Sequence, residues 1–64
     1  MDKQPIDVRV GSLVRWTHPG AESLGVVLSV HNNRFSANIR WVASDGYGSG
    51  IYPLAHEYLE LLSK

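Results

Sequence analysis

The clearest signal in the chain is an alternation. Across residues 34–42, Phe35, Ala37, Ile39 and Trp41 interleave with Arg34, Ser36, Asn38 and Arg40. Successive side chains of a strand point to opposite faces, so this run predicts a strand with one buried face. Phe35, Ile39 and Trp41 are expected inside, and Arg34, Asn38 and Arg40 outside. Residues 24–30 form a second β-rich stretch, with Val26, Leu28 and Val30 on one face and Val27 and Ser29 on the other. Asn32-Asn33 stands between the two runs. Asparagine tolerates positive φ, so the pair predicts a tight hairpin turn.

The remaining segments are shorter. Ile6, Val8 and Val10 alternate with Asp7 and Arg9, a short strand or extended lead-in that Gly11-Ser12 breaks. Residues 13–17 read as extended, with Val14 and Trp16 opposite Arg15. Pro19-Gly20 makes 18–23 a loop, and Asp45-Gly46 with Gly48 and Gly50 makes 43–50 another. Ile51-Tyr52 is a strand fragment whose pairing Pro53 limits. A helical turn is expected over 54–57 and a closing strand over 58–62. About five short strands at roughly ten-residue spacing predict an all-β domain. Residues 1–5 read as a flexible tail and 6–64 as the domain, with one short helical turn before the last strand.

Taken in order, Val10-Gly11-Ser12-Leu13-Val14-Arg15-Trp16, Leu24-Gly25-Val26-Val27, Ala37-Asn38-Ile39-Arg40-Trp41-Val42 and Leu59-Glu60-Leu61-Leu62 resemble the small SH3-like barrels, of the kind phages encode. Ser12 takes the place of the acidic residue usual in that opening. The stretch Ser49-Gly50-Ile51-Tyr52-Pro53 is similar to the catalytic Val-Gln-Ile-Tyr-Pro of plasmid-type dihydrofolate reductases, which form a tetramer around one pore. Gly50 replaces the glutamine, and Trp16 replaces the lysine that follows the opening Val-Arg. The resemblance therefore implies a relative without that activity. The Gly-Ser opening and Leu54-Ala55-His56-Glu57 are similar to the small stromal subunit of photosystem I, a likeness of fold only.

Composition narrows the partners. Six Lys and Arg balance six Asp and Glu in 64 residues, so no long-range field gathers nucleic acid or an anionic membrane. Apolar runs such as Val26-Val27-Leu28 are too short to span a bilayer. With no cysteine there is no disulfide to support a marginal core, which fits a reducing cytoplasm; the expected place is the cytoplasm, a host cytoplasm or a virion assembled inside a cell. Association with another protein or with itself is the expected source of further stability.

Candidate chemistry is sparse. His18, His31 and His56 lack metal-ligand spacing, and no nucleophile-elbow pattern or phosphate fingerprint occurs. No enzyme, metal or cofactor is expected. Tyr47, Tyr52, Asp45, His18 and Trp16 are the candidate protein-binding residues, since tyrosine offers contact area at low entropy cost and loops carry binding residues. Trp16 and Trp41 share inward parity. Two indoles are more than so small a barrel easily encloses, so one of them can line an aromatic groove for a peptide. Arg15, Arg34 and Arg40, at outward parity, are the alternative, a nucleic-acid face.

Overall fold

The computed structural model describes residues 4–42 and 48–64. Its strands are β1 (Leu13–Trp16), β2 (Ser23–His31), β3 (Ser36–Trp41), β4 (Ser49–Pro53) and β5 (Leu59–Ser63). They form one antiparallel sheet in the order β4-β3-β2-β1-β5. The domain is all-β, as the spacing of the short runs predicts. β1 to β4 follow one another as a meander, and the chain then returns to place β5 beside β1.

The sheet is strongly curled. β1 and β4 lie three strand spacings apart in the sheet, about 14 Å if it were flat. Yet the rings of Trp16 in β1 and Tyr52 in β4 meet with centroids 6.1 Å apart. The concave side encloses the core: Val8, Val14, Val27, Ala37, Ile39, Trp41, Leu54 and Leu59, with Ile6, Trp16, Val30, Tyr52 and Leu61 packed against it. The alternation in β3 holds for Ala37, Ile39 and Trp41. It fails at Phe35, which is 56% exposed.

The hairpin turn explains that failure. Asn32, Asn33 and Arg34 all take left-handed conformations, with φ of 52°, 55° and 71°. Phe35 closes the turn with φ −91° and ψ −14°, and its N–H donates to the Asn32 carbonyl. The pleat therefore starts one residue later, at Ser36. The asparagines suit such a turn; Arg34 does not. Arg34 is held by its side chain, whose guanidinium donates to Asp7 Oδ1 at 3.1 Å and to the Val8 carbonyl. Asn38, expected outside, is half-buried, and its Oδ1 is enclosed without a partner.

β2 departs from simple alternation as well. Its buried positions are Ser23, Gly25 and Val27, the less apolar of its two faces. A register shift between Val27 and Ser29 then turns Val30 toward the core and leaves Leu28 exposed. Residues 6–10 are a lead-in and not a strand. Ile6 N–H donates to the Leu54 carbonyl, and Val8 is buried. Ser12 then ends a turn: its buried hydroxyl accepts the Arg9 N–H at 2.9 Å. The expected helical turn at 54–57 is instead two hydrogen-bonded turns, His56 N–H to the Pro53 carbonyl and Leu59 N–H to the His56 carbonyl. Among the described residues the single 3-10 turn is Asn32–Arg34.

Ile39 sits at the centre, fully buried and paired with Val27 and Gly50. Ile39→Asp places an unpartnered carboxylate there, in a chain whose whole stability is on the order of 5 kcal/mol. It is expected to unfold the domain. Circular dichroism and a denaturant titration check this; a cooperative transition near that of the parent would contradict the register.

Candidate aromatic cleft

The side chains most suited to binding converge at one end of the concave face. Trp16 ends β1 and Trp41 ends β3, so the two flank β2 from opposite sides. The inward residues of β2 between them are Ser23 and Gly25, both small. The indoles therefore meet above β2, 6.2 Å apart and inclined at 71°. Tyr52, paired with Ala37 at the far edge, closes on Trp41 at 5.4 Å and 85°. Edge-to-face packing of this kind matches the positive rim of one ring to the negative face of another.

Gly25 is what allows the arrangement. A Cβ on residue 25 would stand 2.6 Å from Ile39 Cγ2 and 2.7 Å from Trp41 Cε3. A glycine inside an otherwise β-branched strand is the sequence sign of such a close approach. On the other side of Trp16 the aromatic contacts continue. His56 lies 4.6 Å from its ring and Tyr58 6.0 Å, and His18 packs edge-on against Tyr58 at 4.7 Å. His56 Nδ1 accepts the Tyr58 N–H, and Thr17 N–H donates to the Tyr58 carbonyl, which fixes this segment beside β1.

Trp41 is nearly enclosed, at 8% exposure, whereas Trp16 and Tyr52 are only half-buried. Together with Ala21 and Ser23 these three rings line an open cleft of about 160 Å³. Its walls are mostly ring carbon. The side-chain polar groups of these residues are the Tyr52 and Ser23 hydroxyls and the two indole N–H groups, and Ser23 Oγ donates to the Ala21 carbonyl at 3.4 Å. Among the described residues no group of three or more His, Cys, Asp or Glu side chains is placed to hold a metal ion.

Of the sequence candidates, Trp16 and Tyr52 line the cleft, and His18 stands near it against Tyr58. Asp45 and Tyr47 lie outside the described residues. The arginines are not gathered into one surface. Arg15 is paired with Glu60 across β1 and β5 at 3.0 Å. Arg34 belongs to the hairpin end, with Asp7, which also accepts from Lys64. The hydrogen bonds from Lys64 and Arg34 hold the Asp7 carboxyl below its ordinary range. Arg40 projects from the convex side of β3, opposite Val26. Trp41, Ala21 and Ser23 complete the cleft. Of these, Trp41 was legible as an inward aromatic, while Ala21 and Ser23 carried no signal beyond their small size.

No family model matches the chain, and no curated protein or solved structure matches it. The likenesses to phage-type barrels, plasmid-type reductases and the photosystem subunit thus rest on short motifs and the all-β sheet.

Gly25→Ala forces Trp41 or Ile39 out of place. It is expected to destabilise the domain by about 1–3 kcal/mol and to shift tryptophan fluorescence, by the usual cost of overpacking. A denaturant titration followed by fluorescence measures both. An unchanged midpoint would mean that the indole is not seated on residue 25.

Proposed function

We propose that this chain is a small non-enzymatic interaction module that takes a segment of another protein into its aromatic cleft. The observation that carries the reading is the set of three mutually inclined rings around an open space of about 160 Å³. That space suits one apolar side chain or one proline ring. Aromatic walls already held by the core lose little entropy on binding. A cleft lined by Trp and Tyr matches the way small domains grip extended, proline-containing segments.

Chemistry is less well supported. The plasmid-type reductase motif is incomplete here, and Gly50 brings no amide to the site: it faces inward opposite Ile39, with the Tyr52 ring 3.5 Å from where its Cβ would be. The order of the short motifs favours a module of the kind phages encode, acting in a host cytoplasm or within a particle assembled there.

Two measurements test this. Peptides selected from a random display library on the folded protein should bind with Kd on the order of 1–100 µM. In ¹H–¹⁵N spectra they should perturb Trp16, Ala21, Ser23 and the Trp41 indole, and Tyr52→Ala should weaken them at least tenfold. Perturbations confined to Arg15 and Arg40 would instead favour a nucleic-acid face. Separately, the purified protein is expected not to oxidise NADPH in the presence of dihydrofolate. Measurable turnover would replace the binding reading with a catalytic one.

A further inference from the structure

The hydrogen-bonding groups of the cleft are unevenly supplied. Neither indole N–H nor the Tyr52 hydroxyl is bonded to a described residue, and none of the three is enclosed: among the described residues the enclosed side-chain atom without a partner is Asn38 Oδ1. Trp41 shows where its donor stands. Cε3 and Cζ3 are the ring atoms seated over residue 25, 2.7 and 2.9 Å from the place of a Cβ. Nε1 lies on the opposite edge of an indole, so the N–H of this nearly enclosed ring faces away from β2, on the side that solvent reaches. The Ser23 hydroxyl already gives its proton to the Ala21 carbonyl. Among the described residues, the lining side chains thus hold two groups that can only donate, two hydroxyls, and none that can only accept.

We infer that the cleft selects a tertiary amide, the Xaa-Pro bond of an extended segment. The inference rests on the reading of the cleft as a peptide site and names what that site discriminates. The Xaa carbonyl accepts from the Trp41 indole N–H, and the proline ring lies against Trp16 and Tyr52. Three considerations lead to this occupant. First, a donor left without an acceptor once water is expelled costs more than a made bond gains, so the indole N–H groups demand carbonyl oxygens. Second, an ordinary peptide unit brings an N–H with every carbonyl, and among the described residues the walls hold no carboxylate or side-chain amide to receive it. Proline brings a carbonyl and ring carbon without an N–H. An alanine in its place leaves an unpaired N–H, and groups left unpaired in this way are what make polar sites selective. Third, a carboxylate would also accept, but no lysine or arginine lines the cleft to offset its desolvation. Arg15 is engaged with Glu60 and Arg34 with Asp7, and Arg40 projects from the convex side.

Three blocked octapeptides test this by ¹H–¹⁵N titration: repeats of Ser-Pro, of Ser-Ala, and of Ser with N-methylalanine, which lacks the N–H but has no ring. The Ser-Pro and N-methylalanine peptides are expected to bind within about threefold of one another, and the Ser-Ala peptide about tenfold more weakly or worse. The Trp41 indole N–H proton should move downfield as it bonds. Replacing Trp41 with benzothienylalanine, by chemical synthesis of the 64-residue chain, keeps the bicyclic shape and removes the donor. It should leave circular dichroism intact and weaken the Ser-Pro peptide about tenfold. Equal affinity for the Ser-Ala peptide overturns the inference. So does an N-methylalanine peptide as weak as Ser-Ala, since the ring and not the missing N–H is then recognised. So does a benzothienylalanine chain that binds as well as the parent. In each of these results the Trp16 and Tyr52 signals still shift, and the peptide reading of the cleft stands. Peptides selected by display that fill the cleft while the Ser-Pro peptide does not also overturn the inference and leave that reading intact. If no peptide of either kind shifts Trp16 and Tyr52, the reading of the cleft fails and this inference with it.

Discussion

Trp41 occupies the space where a side chain on residue 25 would otherwise lie. The core on the concave side is built around that contact. With Gly25 and Ser23 facing inward, β2 presents almost no side-chain bulk at this end of the sheet, and the strands on either side can lean their indoles together above it. The contact draws β1 and β3 inward and brings β4 round until Tyr52 reaches Trp16. A chain of this length buries little apolar surface, so large rings carry a heavy share of its core. Rings too large for full enclosure leave part of themselves at the surface. The half-buried Trp16 and Tyr52 are thus a product of the small core, and the cleft is the space their edges leave.

The alternation of Ala37, Ile39 and Trp41 was legible because a central strand with one buried face has few ways to satisfy its side chains. The loop at Pro19-Gly20, the closing strand near Leu59 and the lead-in at Ile6 were legible from turn chemistry and parity. β2 was not. Its more apolar parity faces outward, because β3 and β1 fill the inward space with indoles and demand small residues opposite. Periodicity counts apolar positions and cannot tell that a glycine and a serine are the buried ones. Phe35 misled for a local reason: the left-handed turn and the residue that closes it use up two positions, Arg34 and Phe35, that the pattern assigned to the strand. For the site, Trp16 and Tyr52 stood out as large aromatics. That they converge depends on the curl of the sheet, which no local pattern encodes.

Arg15 and Arg34 illustrate the limits of reading charge from parity. Both are exposed, as expected, but each is directed by a carboxylate distant in sequence, Glu60 and Asp7. Exposed ion pairs of this kind contribute little to stability. What they do is orient: Arg34 keeps an unfavourable backbone conformation because its guanidinium spans Asp7 and the Val8 carbonyl. The outward face was expected to be polar and basic. It is instead crossed by exposed leucines of β1 and β2, with Arg40 standing among them opposite Val26, which changes the kind of contact it can make.

Asp7 also receives the Lys64 ammonium, so residues at opposite ends of the sequence hold one another while β5 lies against β1. The fold is in effect a ring. Bringing residues 13 and 63 together closes a far longer loop than the turn between β2 and β3, and the entropy of that closure grows with its length. The β2–β3 hairpin is therefore the part that can assemble locally, and β5 is the seam that must be closed across the whole chain. A ring closed at such a seam can also be cut elsewhere. Joining residues 64 and 6 through a short linker and opening the exposed turn at Asn32–Arg34 would keep every strand beside its present neighbours, but would separate the two halves of the one locally assembling pair.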